Sequence, residues 1–362
     1  MLSSVLGFLI VISIIIFVHE LGHYIVARIC GVDVEQFSLG FGPAIAGYRD
    51  SKGTYWKICV VPLGGYVKMF GDGDLGGFKA NSKYLNRHER KRSYLYQKPS
   101  RRLFIALAGP LANYLLAITI FFGVYSYFGK VVALSVVSEV VANSPAEEAG
   151  LREGDVIQLI DSEVIENFQD IHSYVSLRPN TDMILTIKRG DEAPFSVSIK
   201  TGEREILDSN NKLIAKAGFI GIKSAIPEIV NLSPIEAAME SVKDVVLITE
   251  MTKDGLLQIL TGKRSLDELR GTITVAKESG QTIQTGFVNF AIFIAMISIN
   301  IGFVNLLPIP ILDGGHVIIC LYEMITGSTP NKIASQILTS IGIMCVLMLF
   351  LISTSNDLKA IM

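Results

Sequence analysis

Residues 1–29 read MLSSVLGFLIVISIIIFVHELGHYIVARI, a charge-free apolar run up to Val18 that ends abruptly in His19, Glu20 and His23. As a helix, such a run can cross the ~30 Å hydrocarbon core of a bilayer, which takes about 20 residues. Three more charge-free stretches follow at 103–129, 279–312 and 333–356. The composition agrees: of 362 residues, 50% are hydrophobic and 18% charged, against about 25% charged in a typical soluble domain, and the mean hydropathy is +0.45. These values exclude a cytosolic enzyme, a disordered chain and collagen, and four cysteines are too few for a disulfide scaffold. The expected fold class is a polytopic α-helical membrane protein with four transmembrane helices and a soluble insert.

Charge sets the expected orientation. Residues 28–102 carry 14 Lys/Arg against 6 Asp/Glu, a net of +8, whereas 130–278 carry 16 against 24, a net of −8. The positive-inside rule weighs Lys and Arg near span ends, and Arg87, Arg90, Lys91, Arg92, Lys98, Arg101 and Arg102 crowd the approach to the second span. Residues 28–102 are therefore expected in the cytoplasm, with the acidic insert and both termini outside. The first stretch lacks a basic leader and a small-x-small cleavage site, so it reads as a retained span rather than a signal peptide. Cys30, Cys59, Cys320 and Cys345 fall in spans or cytoplasmic loops, which implies no disulfide. The expected divisions are a first span at 1–27, a cytoplasmic loop at 28–102, a second span at 103–129, an outer domain at 131–223, a helix and linker at 224–285, a third span at 286–312 and a fourth at 333–355.

The few ionisable residues at the margins of these runs carry the chemistry. His19 and His23 stand four apart, on one helical face, and can present two imidazoles to a tetrahedral zinc. Glu20 projects beside them, where a metal-activated water can lose its proton to a carboxylate. Charge at that depth is costly and marks function. A catalytic zinc usually has three protein ligands and one open position. The metzincin extension is absent, since Val26 and Ile29 occupy its Gly and His positions, and Glu35 lies in the loop past Gly31. Asp313, in NLLPIPILDGGH (305–316), follows the uncharged stretch 279–312 and is the favoured third ligand. The plainer alternative is a helix-terminal Asp at the water interface before a Gly-Gly turn. His316 competes for the role; His88 sits in a basic run, and His172 falls in the outer insert.

Five motifs, HELGH (19–23), LGFGP (39–43), PLGGYVKM (62–69), AGPLAN (108–113) and NLLPIPILDGGH, occur in this order along the chain. Together they resemble the site-2 protease family of intramembrane zinc metalloproteases, peptidase family M50, and within it the bacterial RseP-like branch. The resemblance implies zinc held by His19, His23 and Asp313, with Glu20 as general base and acid. It also implies a membrane-re-entrant β-element at PLGGYVKM with a loop at Gly40, Phe41 and Gly42 nearby, and substrate contacts from these residues, Tyr66 and Asn305. The implied setting is a multi-pass protein of the cell inner membrane. Its partners would be the lipid bilayer and single-pass membrane proteins already shortened by another protease, such as anti-sigma factors or leftover signal peptides. No nucleic-acid partner is implied.

The residues support parts of this independently. A transmembrane helix resists hydrolysis because its carbonyls are bonded within the helix, so cleavage requires unwinding. β-prone residues at 55–61 and 66–70 flank a Pro-Leu-Gly-Gly interruption and predict a short hairpin or loop pair. Its edge can hold an unwound strand by β-addition, or it is an ordinary cytoplasmic hairpin. Pro308 and Pro310 break the helix after Asn305, which either bonds an extended substrate or makes a helix–helix hydrogen bond. AGPLAN reads as small residues for close helix packing.

In the insert, Ser144, Pro145 and Glu147 predict a capped helix that Gly150 ends. A strand from Asp155, a helix at 167–177 and a strand at 183–189 complete an α+β unit. With AGLREGD (149–155) it resembles a PDZ domain of the circularly permuted bacterial type, over 131–223. GFIGI (218–222) is either a carboxylate-binding loop or a plain terminal strand. Many RseP-like proteins have two PDZ domains, whereas this chain has room for one. Thr272, in LRGTITVAK (269–277), stands where relatives tend to have proline. Ser233, Pro234 and Glu236 start a further helix, expected to lie on the membrane or the core. A rival reading is a non-catalytic PDZ scaffold with a structural metal, although structural zinc usually has four protein ligands. A transporter would be expected to show repeated halves.

Overall fold

The computed structural model describes residues 2–72, 85–132, 135–165, 167–207, 213–224, 228–262, 266, 269 and 271–359. Gly73 and Asp74, after the PLGGYVKM element, and Arg270 of LRGTITVAK lie outside the described residues. The elements run α1 (Leu2–Ile29), β1 (Val34–Arg49), β2 (Tyr55–Met69), α2 (Arg87–Arg92), α3 (Pro99–Phe128), β3 (Lys130–Val132), β4 (Val137–Val140), α4 (Pro145–Glu148), β5 (Asp155–Ile160), β6 (Glu163–Val164), α5 (Phe168–Ser176), β7 (Asp182–Arg189), β8 (Phe195–Lys200), β9 (Gly202–Leu207), β10 (Leu213–Phe219), β11 (Ile222–Ser224), β12 (Glu228–Val230), α6 (Pro234–Leu260), α7 (Thr272–Thr282), α8 (Phe287–Leu306), α9 (Asp313–Thr326) and α10 (Lys332–Lys359). Among the described residues, four helices are long and apolar enough to cross a membrane: Ser3–Ile29, Pro99–Phe128, Phe287–Leu306 and Ser335–Lys359. Sequences this apolar become helices because a helix satisfies every backbone donor and acceptor within its own segment.

The chain divides into two compact units, one of Met1–Val124, Ala238–Asp254 and Leu266–Met362, the other of Tyr125–Ala237 and Gly255–Ser265. In the first, α1 packs on α8 through Val11, Ile15, Phe290 and Ile294. Helix α7 begins at Gly271, which has no capping side chain. The Asp357 carboxylate of α10 takes that role, accepting from the amides of Gly271, Ile273 and Thr274 and from the Thr274 hydroxyl, which satisfies amides the helix itself leaves open.

Two departures from the sequence reading concern this unit. The segments at 55–61 and 66–70 do not pair with each other as a short hairpin. Residues 55–61 and 66–69 are parts of one strand, β2, and β1 is the partner: residues 36–39 of β1 lie against both 55–58 and 65–68. Gly64, at φ +111°, lets β2 pass through the Pro-Leu-Gly-Gly interruption without ending. The second departure is an additional helix, α9, between the third and fourth apolar helices. Its 14 residues are too few to span a bilayer.

The second unit is α+β. A four-stranded antiparallel sheet in the order β6-β5-β7-β8 turns Met183, Leu185 and Ile187 of β7 inward at alternate positions. They meet Ile157, Ile160, Ile171, Val175 and Ile199 in the core. Ser144 caps α4 by accepting from the Glu147 amide, and Asn167 with Asp170 forms a capping box on α5. β12 pairs with β3, so the unit closes beyond residue 223.

Candidate metal centre

The site assembles where α1, α3 and the N-terminus of α9 meet. On α1, His19 and His23 share one face, and their Nε2 atoms lie 3.2 Å apart. Asp313 opens α9 and brings Oδ2 to 3.1 Å from His19 Nε2 and Oδ1 to 3.4 Å from His23 Nε2. Ligand atoms of the three residues all lie within 4.8 Å of one another. A tetrahedron with bonds of about 2.0–2.1 Å has edges of roughly 3.3–3.4 Å, so the donors already stand at ligand spacing.

Helix α3 forms the back wall. Gly22 of α1 faces Ala108 and Ala112 so closely that a Cβ there would lie 2.4 Å from the Ala108 carbonyl oxygen. At Gly109 a Cβ would lie 2.2 Å from His23 Nε2 and 2.8 Å from His19 Cε1. The space at Gly109 is what lets both imidazoles turn inward. Behind them, His23 Nδ1 lies 2.8 Å from the Ile105 carbonyl oxygen and His19 Nδ1 lies 3.2 Å from Asn113 Nδ2. A carbonyl only accepts, so His23 Nδ1 carries the proton and its Nε2 presents a lone pair.

Asp313 is delivered by a strained approach. After Pro308 and Pro310, Ile311 adopts φ +101°, which for a β-branched residue costs of order 1–3 kcal/mol and is typical of functional sites. Gly314 then sits against the Leu306 and Leu307 carbonyls, where a Cβ would come within 2.4 Å. At the other end of α9, buried Glu323 pairs with Arg102 of α3.

Glu20, Tyr66, Asn305 and His316 line the same cavity, of about 410 Å³, with His19, His23 and Asp313. Gly65 brings β2 against Glu20: a Cβ there would lie 3.1 Å from Glu20 Cγ and 2.7 Å from Ile16 Cγ2. Gly40, Phe41 and Gly42 are not among the lining residues. Phe41 instead stacks on Tyr66, with ring centroids 6.2 Å apart. The rival ligands stand elsewhere: Glu35 on β1 pairs with Lys68 at 3.5 Å, His88 is on α2, and His172 is on α5 of the second unit. His316 lies one turn beyond Asp313 and outside the three-residue cluster.

The donor set fits zinc. Two imidazole nitrogens and a carboxylate oxygen converge, and buried Asp313 Oδ2 has no hydrogen-bond partner beyond its 3.1 Å approach to His19 Nε2; a cation between them would satisfy both. Residues 7–349 match Peptidase family M50. The chain belongs to peptidase family M50. Relatives with metalloprotease names cover nine-tenths or more of it. A Rickettsia conorii protein bearing a zinc-metalloprotease name is 41% identical, with 98% of each chain covered. One from Agrobacterium fabrum with a similar name is 36% identical over 99% of this chain and 96% of its own. Metalloprotease MmpA of Caulobacter vibrioides is 35% identical, covering 90% of this chain and 87% of its own. Among solved structures, the PDZ domain of an SdrC-like protein from Listeria monocytogenes matches at 23% identity and TM-score 0.21, covering 26% of this chain and 93% of that one.

Sequence reasoning missed Gly109 and Asn113, whose motif AGPLAN was given a packing role alone, and Ile105, which precedes that motif. Their spacing was the available signal: residues 105, 109 and 113 repeat every four and so share one helical face, as His19 and His23 do.

Proposed function

We propose that this protein is a zinc-dependent intramembrane endopeptidase that cleaves transmembrane segments of single-pass membrane proteins near their cytoplasmic side. The observation that carries the reading is the convergence of His19, His23 and Asp313 beside Glu20 in one cavity of a unit built on apolar helices. His19 Nε2, His23 Nε2 and one Asp313 oxygen would hold the metal. When bound, zinc supplies Lewis acidity toward water and the peptide carbonyl. Glu20 takes the proton of the attacking water and passes it to the departing amine nitrogen. Gly64, Gly65 and Tyr66 of β2 border the cavity, which supports docking of an unwound substrate against that strand, and Asn305 supplies an amide for its backbone. The second unit, read as a PDZ domain, screens the outer ends of substrates already shortened by another protease. The charge balance supports residues 28–102 in the cytoplasm, with both termini and the second unit outside the cell membrane.

Co-expression of the wild type and Glu20→Gln with a tagged transmembrane substrate tests the mechanism. Cleavage is expected to vanish in the variant while zinc content stays unchanged. Cleavage by Glu20→Gln at the wild-type rate would refute it.

A further inference from the structure

Zinc must take His19 through Nε2, since that is the nitrogen facing His23 and Asp313. A neutral imidazole has one N–H, so Nε2 is free to ligate only if the proton sits on Nδ1, and Nδ1 then needs an acceptor. For His23 the Ile105 carbonyl fills that role at 2.8 Å. For His19 the neighbour is the Asn113 amide at 3.2 Å, on the next turns of the same helix. With the amide nitrogen against Nδ1, the imidazole proton would be driven onto Nε2, into the ligand cluster. A half-turn of the amide exchanges its two ends, which differ little in shape, and puts the oxygen against Nδ1. Asn113 is fully buried, and in the orientation that sets its nitrogen against Nδ1 its Oδ1 has no hydrogen-bond partner.

We infer that Asn113 is a positioning residue whose Oδ1 accepts from His19 Nδ1–H, so that α3 fixes the tautomer of both histidines from behind, one through a main-chain carbonyl and one through a side chain. The inference rests on the zinc reading above and extends it to a residue that touches neither metal nor substrate. Partners of this kind commonly contribute 10–100-fold in metal affinity.

The test measures zinc affinity of the full-length protein in detergent by chelator competition, together with the visible spectrum of the Co2+-loaded protein. Asn113→Leu keeps the size and removes the hydrogen bond; it is expected to weaken zinc binding by about 10–100-fold and to alter the Co2+ bands. Asn113→Asp keeps an acceptor and cannot donate; it is expected to bind zinc within about threefold of wild type or more tightly. Wild-type affinity in Asn113→Leu would reduce the side chain to space filling, and an equal loss in both variants would make the amide a donor; either overturns the inference. If Asn113→Leu does not fold, Asn113→Asp decides alone, by retention or loss. A wild-type protein that binds no zinc would overturn the functional reading as well, whereas zinc-competent wild type with an unaffected Asn113→Leu overturns only this inference.

Discussion

Replacing Gly109 by alanine tests whether the metal centre depends on the gap in α3. The added Cβ would lie 2.2 Å from His23 Nε2, where ordinary contact begins near 3.4 Å, so the imidazole must retreat by about 1.2 Å. It cannot do so freely, because Nδ1 is held 2.8 Å from the Ile105 carbonyl. A shift of that size takes the bond to about 4 Å, beyond hydrogen bonding, and leaves buried polar groups unpaired at a cost of about 1–3 kcal/mol. Alanine in a helix interior returns about 1 kcal/mol over glycine. Fold stability is therefore expected to change little, falling by no more than about 2 kcal/mol. Metal binding has no such compensation. Ligand distances tolerate about ±0.2 Å, and losing a direct ligand should exceed the 10–100-fold effect of an outer partner. The expected loss is at least about 100-fold in zinc affinity, or ~2.7 kcal/mol. Chelator competition reads the affinity, and thermal unfolding of the metal-free protein reads the fold. Gly109→Ala binding one zinc at wild-type affinity would refute the reasoning.

A substitution on the opposite wall should separate binding from catalysis. Gly65→Ala presses on Ile16, the Ser38 carbonyl and Glu20 Cγ at 2.7, 2.8 and 3.1 Å; it should leave zinc content intact and slow cleavage by about 100-fold, the usual effect of misplacing a catalytic group by about 1 Å, and loss of zinc would count against it. In the second unit, burial would raise the Asp155 carboxyl, but the Arg189 guanidinium and the Arg152 amide outweigh it and hold the group below its ordinary value. A lowered folded-state pKa contributes stability that is present above about pH 4 and lost as pH falls below it. Amide exchange in β5 and β7 should therefore accelerate in acid, and Asp155→Asn should flatten that dependence; equal acid sensitivity in the variant would contradict the assignment.

What the sequence disclosed followed from the range of the interactions involved. HELGH was legible because both histidines lie one turn apart on a single helix, and Asp313 because a charge after 34 uncharged residues has few explanations. The capped helices at Ser144, Asn167 and Ser233 were legible for the same local reason. The pairing of β1 with both ends of β2 was hidden, since it joins residues far apart in the chain and β1 runs through the glycines at 40 and 42. Asn113 and Gly109 were hidden because their significance exists only when α1 lies against α3. Helix α9 was hidden because its 14 residues open on a Gly-Gly pair just after Pro308 and Pro310, a pattern that reads locally as a turn.

The Arg102–Glu323 pair gives α9 the mechanics of a pinned lever. Ten residues separate the pin at Glu323 from the proposed ligand Asp313, about 15 Å of helix at 1.5 Å per residue. At that radius a tilt of one degree moves the carboxylate by about 0.3 Å, already past the ±0.2 Å that metal coordination tolerates. Alignment at the reactive end is thus a matter of angular stiffness at the far end, and a mutation there acts on the metal through rotation, with no ligand altered.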